Sequence, residues 1–169
     1  MTPTLLANIF CTVGIAFLAL SSFLKAKDKI LYMQIGNYGF FALGDLIIGS
    51  FAGSVVNAIS IIRNVLAAKG KDSRFVQILM LVSIVGIGIA VNVISGNVGI
   101  LYFVPIIASA QYTLCAFICK SAQALRVAMI VFLILWFIHD FGMAIYTSAA
   151  VDLLVAVITL VNCFRLKDA

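Results

Sequence analysis

The chain has 169 residues, of which 64% are hydrophobic and 10% are charged, and it carries a net charge of +5. A soluble domain is about 45–50% apolar and about 25% charged, so this composition excludes an ordinary water-soluble protein. The positive charge does not indicate nucleic-acid binding, because the basic residues lie in short loops between apolar runs. The composition indicates an all-α integral membrane protein in contact with the lipid bilayer.

Seven apolar runs follow one another along the chain, and each is long enough for one transmembrane helix of about 20 residues. No basic region precedes the first run and no small-x-small site follows it, so we expect no cleaved signal peptide. Gly49 and Gly53 separate the second run from the third, and Ser95-Gly96-Asn97 separates the fourth from the fifth. The predicted helices cover 3–24, 30–50, 52–68, 75–95, 98–119, 125–144 and 146–164.

The loops alternate in charge. Those after the first, third and fifth runs and the C-terminus are basic, whereas the N-terminus and the other loops contain no Lys or Arg. The positive-inside rule then predicts a multi-pass protein with its N-terminus outside and its C-terminus in the cytoplasm. The basic residues of these loops and of the C-terminus are Lys25, Lys27, Lys29, Lys69, Lys71, Arg74, Lys120, Arg126, Arg165 and Lys167.

The loops occur at similar intervals in the two halves of the chain. Lys25 and Lys120, Asp45 and Asp140, and Asn57 and Asp152 each lie 95 residues apart. This spacing predicts a single transmembrane domain with a 3+1+3 arrangement. Repeat 1 covers 1–69, a linker helix covers 75–95, and repeat 2 covers 96–169 in the same orientation. Transporters of the SWEET type use parallel repeats of this kind.

Two segments carry a family resemblance. The first runs from Gly49 to Arg63 (GSFAGSVVNAISIIR), and the second contains WFIHDF, with His139 and Asp140, and ends in NCFR at Arg165. These segments resemble the YgjV family of bacterial inner-membrane proteins, whose halves each pair a His-aromatic motif with an Asn/Ser-x-x-Arg motif. The resemblance covers most of the chain. It implies a bacterial inner-membrane location and a fold similar to the SWEET, PQ-loop and nicotinamide riboside transporter group.

The resemblance also has a departure. Gly44 stands where the family pattern has the first histidine, so a paired-histidine role is not expected. The motif sets Arg63 opposite Arg165, which conflicts with an ungapped pairing of the halves at 95 residues.

Charged side chains inside the runs are candidates for function, because a charge at a helix centre costs about 2.5–3.5 kcal/mol on insertion. Asp140 and Asp152 lie at depths of roughly 8–9 Å, on neighbouring helices joined by a short loop. With His139 they are expected to form one polar layer on the outer side of the midplane. Such a layer suits proton coupling, cation binding or contact with a polar solute. The structural alternative is that Asp140 bonds to backbone near a helix end.

The first half offers Asp45, Asn57 and Arg63. Asn57 is expected at the depth of Asp152 and facing the cavity. Arg63 is interpreted in one of three ways: snorkelling to the headgroups, pairing with Asp45, or contacting an anion at the cytoplasmic gate. The uncharged polar residues inside the runs either line the pore or form interhelical hydrogen bonds. They are Gln34, Asn37, Asn64, Asn92, Gln111, Tyr112 and Asn162.

The function predicted from these patterns is a small-solute transporter that works by alternating access at a central cavity. The alternatives are an ion or small-solute channel, and a non-transporting membrane subunit that binds a partner through its helices. No enzyme motif is present, and one histidine with cysteines lacking CxxC spacing predicts no metal site and no cofactor. The expected partners are lipid, a small polar solute or ion, and a second copy of the chain in a homodimer.

Overall fold

The computed structural model describes residues 2–97 and 99–166, and this part of the chain is helical between its turns. Val98 at the predicted start of the fifth run, and Lys167 and Asp168 at the basic C-terminus, lie outside the described residues. The helices are α1 (Pro3–Ser21), α2 (Lys27–Ile47), α3 (Phe51–Ala68), α4 (Arg74–Ile94), a 3₁₀ helix (Ile100–Phe103), α5 (Val104–Ile118), α6 (Ala122–Gly142) and α7 (Tyr146–Arg165). The all-α prediction is confirmed, and each predicted run corresponds to one α-helix.

The helix ends differ from the predicted runs mainly at the charged boundaries. α2 begins at Lys27 and not at residue 30, because charged residues are tolerated in a helix turn that lies at the membrane interface. Asp28 in this first turn also interacts favourably with the positive end of the helix dipole. The fifth run begins as the 3₁₀ helix, and Pro105 lies at the start of α5. A proline inside a helix would kink it, but Pro105 lies in the first turn of α5, where proline is tolerated.

Six of the seven α-helices are long and apolar enough to cross a membrane, with the 3₁₀ helix counted together with α5. The exception is α2, which is as long as α4 and α6 but more polar. Its buried side carries Gln34, Asn37 and Tyr38. The crossing of the membrane by α2 stays a prediction.

The helices pack as two similar groups of three. α2 packs between α1 and α3, and α6 packs between α5 and α7. The two groups meet where α1 contacts α7, α3 contacts α5 and α2 contacts α6. α4 lies against α3 and α5. We call the surface between the two groups the seam.

The turns after α2 and α6 have the same geometry. The N–H of Ser50 bonds to the carbonyl of Asp45 at 2.8 Å, and the N–H of Ile145 bonds to that of Asp140 at 2.8 Å. Both turns need a residue with positive φ, which is Gly49 at 78° in the first and Ala144 at 60° in the second. Glycine adopts this conformation freely, whereas an alanine is strained.

The bundle has an apolar outer surface and a partly polar interior. Large apolar side chains point outward on every helix, and Phe164 on α7 is 83% exposed. The apolar core lies toward the end of the bundle where the basic loops meet. It includes Ile30, Leu31, Phe117 and Leu125. This inverted pattern fits a protein whose outer surface faces lipid.

Candidate functional site

His139 and Asp140 form a contact near the end of α6. The His139 Nδ1 and Asp140 Oδ1 atoms are 2.7 Å apart, and Asp140 is 4% exposed. The edge of the His139 ring packs against Trp136, with ring centroids 5.6 Å apart. Adjacent helical residues point about 100° apart, yet these two side chains bend toward each other. The two side chains are therefore close enough to form an ion pair or to share a proton.

Asp152 lies on the neighbouring helix α7. It is half-buried, and the Asp140 carboxylate is close enough to act on it electrostatically. The structure therefore brings His139 and Asp140 into contact, whereas Asp152 lies within electrostatic range of Asp140. Among the described residues, no group of three or more His, Cys, Asp or Glu side chains is arranged to hold a metal ion. Two carboxylates beside an imidazole are chemically suited to exchange protons or to bind a cationic group.

Asp45 and Asn57 form a second polar pair, in the first group of helices. The Asn57 Nδ2 donates to the Asp45 Oδ2 at 2.9 Å. Gly53 makes room for this carboxylate, since a Cβ atom there would lie 2.5 Å from the same oxygen. Asn57 was expected to face the cavity. In the structure it bonds to Asp45, the residue that the sequence suggested as a partner for Arg63.

Arg63 does not snorkel to the headgroups. It is 1% exposed, and its guanidinium points into the seam. Nε donates to Asn64 Oδ1 at 3.0 Å, Nη1 to Thr113 Oγ1 at 3.2 Å, and Nη2 to the Tyr38 hydroxyl at 2.9 Å. The rings of Tyr38 and Tyr112 lie 5.2 and 5.1 Å from the guanidinium carbon. Neither the snorkelling interpretation nor the pairing with Asp45 is therefore correct.

Gln34 extends this cluster across the seam. Its Oε1 accepts from the Tyr112 hydroxyl at 2.7 Å and from Asn64 Nδ2 at 3.3 Å. Its Nε2 donates to the Met129 sulfur on α6 at 3.3 Å. The cluster therefore joins α2, α3, α5 and α6.

The sequence interpretation missed Tyr38, Thr113 and Arg126. Tyr38 lies four residues after Gln34, on the same face of α2, and this spacing is a signal that predicts contact with the same partners. Thr113 directly follows Tyr112 but gives no signal of its own, because hydroxyl residues are common in membrane helices and often bond to their own backbone.

Arg126 was assigned to a basic loop but lies inside α6 and is fully buried. Nε donates to the Ser22 carbonyl at 3.0 Å and Nη2 to the Leu24 carbonyl at 2.5 Å, at the end of α1. Asn162 on α7 donates to the Ser22 hydroxyl at 2.7 Å. The end of α1 is thus attached to both α6 and α7.

The loops after α1, α3 and α5 meet at one end of the bundle. They surround a cavity of about 420 Å³ whose lining includes Lys25, Lys27, Gly70 and Lys120. Three of the predicted basic segments therefore share one side, as the charge alternation requires. The opposite end contains the His139–Asp140 and Asp45–Asn57 pairs.

Residues 5–169 match the model of the Imp-YgjV family, described as bacterial inner membrane protein. The chain belongs to this family. The resemblance seen in the sequence is confirmed, and with it a multi-pass location in the bacterial inner membrane. A search of curated proteins gave no match. A search of solved structures also gave none.

Gly44 lies at a close contact between α1 and α2. A Cβ atom at Gly44 would lie 3.0 Å from the Cys11 sulfur and 3.3 Å from the Ala7 carbonyl oxygen. α1 and α2 pack closely here, so a histidine at position 44 would require the two helices to move apart.

Proposed function

We propose that this protein is a small-solute transporter in which two three-helix repeats move against each other. The repeats are α1–α3 and α5–α7, with α4 as the linker in a SWEET-like 3+1+3 arrangement. The helix ends support this reading, since α2 covers 27–47 and α6 covers 122–142, each 95 residues further on. The matching turns at Gly49 and Ala144 give the same offset.

A contact at the seam supports parallel repeats. Gln34 and Met129 are 95 residues apart, and each is the eighth residue of its helix. Their side chains touch, with Nε2 and the sulfur 3.3 Å apart. Two equivalent residues meet at the same height only next to a symmetry axis that runs along the helices. Such an axis relates the repeats in several transporters.

The observation that carries the proposal is the burial of charged side chains inside the bundle. Arg63 and Asp140 are 1% and 4% exposed. Charged groups inside membrane helices mark ion and substrate pathways by default, because they are expensive to insert. In this proposal His139, Asp140 and Asp152 contact the solute or the coupling proton from repeat 2, and Asp45 and Asn57 do so from repeat 1.

The hydrogen bonds between the repeats indicate which end is closed. Arg126 and Asn162 attach repeat 2 to the end of α1, next to the basic loops. Gln34, Tyr112 and Arg63 join the repeats further inside. Under the predicted orientation, with the N-terminus outside and basic loops in the cytoplasm, this conformation is held together at its cytoplasmic end.

A thermal-stability screen of the purified protein against small metabolites at two pH values tests the proposal. A ligand that binds the native state raises its apparent stability by mass action. We expect at least one hit that is lost in Asp140→Asn and Asp152→Asn and kept in Asp72→Asn, an exposed control near the basic loops. No hit across a broad library would favour a partner-binding membrane subunit. A hit that both site variants keep would move the site away from this layer.

A further inference from the structure

We propose that Arg63 binds the anionic group of the solute, so that the transported compound carries a carboxylate or phosphate group. This inference rests on the proposed transport function and adds the chemical class of the substrate. It starts from the charge of the cluster at the seam. Tyr38, Tyr112, Gln34, Asn64 and Thr113 are neutral at pH 7, so the cluster carries the full positive charge of Arg63.

No carboxylate compensates this charge. Among the described residues the one contact at ion-pair distance is that between His139 and Asp140. Asp45 bonds to Asn57, and Asp152 is acted on electrostatically by Asp140. The faces of Tyr38 and Tyr112 offset part of the charge by cation–π attraction. They do not accept the remaining N–H groups.

The hydrogen bonds of Arg63 are also incomplete. A guanidinium has five N–H donors, and the described residues provide acceptors for three of them. The planar fork of N–H groups matches the two oxygens of a carboxylate or phosphate. The cluster therefore has the charge, the donors and the geometry for an oxyanion.

Arg126, the other fully buried arginine, provides a comparison because its hydrogen bonds fit a structural role. Arg126 donates to Ser22 and Leu24 carbonyls at the C-terminal end of α1, where the helix dipole provides negative potential. A third bond goes to Gln123 Oε1 at 2.9 Å. Arg126 thus has an electrostatic partner that belongs to the fold, whereas Arg63 has only neutral side chains.

Movement of the repeats would expose the free donors. Asn64 and Tyr38, which hold Nε and Nη2, belong to repeat 1 together with Arg63. Thr113, which accepts from Nη1, and Tyr112, which covers one face, belong to repeat 2. When the repeats separate, the guanidinium stays fixed by its own repeat and presents both N–H groups of Nη1 to an incoming anion.

The test measures the thermal stability of the full chain in detergent with sodium acetate, sodium phosphate or sodium chloride at equal ionic strength. Phosphate stabilises many proteins non-specifically, so the readout is the difference between wild type and variant in the same salt. We expect acetate or phosphate to raise the Tm of the wild type by several degrees over chloride. The rise should vanish in Arg63→Gln, weaken in Arg63→Lys and persist in the exposed control Arg165→Gln.

A second variant keeps the test decisive if Arg63→Gln does not fold. Thr113→Val keeps the side-chain shape but frees one N–H group of Arg63, so we expect a lower apparent Kd for the anion. An unchanged Kd in Thr113→Val, or no anion-dependent rise in the wild type, would overturn the inference. If phosphatidylglycerol stabilises the protein and soluble anions do not, the positive charge of Arg63 serves lipid binding. This result would also overturn the inference.

The two proposals fail separately. If the metabolite screen gives hits that need Asp140 but are insensitive to Arg63→Gln, transport stands and the anionic class of the substrate is wrong. If acetate or phosphate binds through Arg63 but is not taken up into proteoliposomes, the anion site stands and transport is wrong.

Discussion

At the scale of single residues, three of the four arginines, Arg63, Arg126 and Arg165, differ in what surrounds the charge. Arg63 stacks between two tyrosines at the seam, Arg126 binds the end of α1, and Arg165 ends α7 in an exposed position. The resemblance noted in the sequence pairs Arg63 with Arg165, but the two lie at different positions along their helices. Arg63 is the thirteenth residue of α3 and Arg165 the twentieth of α7. The two positions therefore have different physical roles in this chain.

The first prediction compares two tyrosine hydroxyls. Tyr38→Phe removes an acceptor from a buried guanidinium, and we expect it to lower stability by about 1.5–3 kcal/mol. Tyr112→Phe removes a neutral bond to Gln34 and keeps the ring over Arg63, so we expect a loss of about 0.5–1.5 kcal/mol. Reversible unfolding in mixed detergent measures both. An equal or smaller loss in Tyr38→Phe would contradict the described position of Arg63.

Part of this residue-scale picture could be predicted from the sequence. The short connection between α6 and α7 was enough to predict that these two helices pack against each other. The burial of Arg126 could not be predicted, because its acceptors lie more than a hundred residues away at the end of α1. When a charged residue lies one turn inside an apolar run, the sequence does not show whether its side chain contacts a lipid headgroup or a neighbouring helix.

At the scale of secondary-structure elements, helix ends account for much of the order in the bundle. Hydropathy placed the seven helices to within a few residues, since a span of about 20 residues must start and stop at the membrane interface. The sequence predicted a turn with positive φ only where a glycine occurs at that position, as at Gly49 and Gly96. At Ala144 the sequence carries no such mark, and the positive φ follows from the same turn geometry that Gly49 adopts.

The second prediction uses these two turns. Ala144→Gly removes the strain of an alanine at a φ of 60°, and we expect it to raise stability by about 0.5–1 kcal/mol. Gly49→Ala introduces the same strain in the other turn and should lower stability by a similar amount. Ala150→Gly, at an exposed position inside α7, is the control and should destabilise. Destabilisation by Ala144→Gly, measured by Tm, would show that the turn has another conformation.

The third prediction concerns the attachment of α1. Arg126→Gln leaves the carbonyls at the end of α1 without their donors, and we expect a loss of about 2–4 kcal/mol. Arg165→Gln, in an exposed position, should leave the Tm nearly unchanged. A thermal shift of both variants makes the comparison. If Arg126→Gln behaves like Arg165→Gln, the end of α1 is not held by this contact.

At the scale of the whole molecule, the charge of the loops determines orientation. The positive-inside rule needs the loops after α1, α3 and α5 to share one side, and the cavity lined by Lys25, Gly70 and Lys120 shows that they do. Which side of the membrane this is follows from the rule and not from the fold. The contacts between the two groups of helices also lie beyond simple sequence reasoning, because the few shared residues do not show which helices touch.

The fourth prediction tests the orientation. In a variant without native cysteines, Ser95→Cys and Lys71→Cys place one thiol at each end of the bundle, both at exposed positions. We expect a membrane-impermeant maleimide to label Ser95→Cys in intact cells, and Lys71→Cys only after the cells are lysed. The reverse pattern would place the basic loops outside and would turn the proposed closed end toward the periplasm.

The central claim is that the seam between the repeats carries a small solute across the membrane. The most direct measurement is uptake of the stabilising compounds into proteoliposomes over a range of concentrations. We predict saturable uptake by the wild type and its loss in Asp140→Asn, with Asp72→Asn unaffected. Flux that rises linearly without saturation would indicate a channel. No uptake of any compound that binds at the seam would contradict the account and leave a membrane subunit with a ligand-binding role.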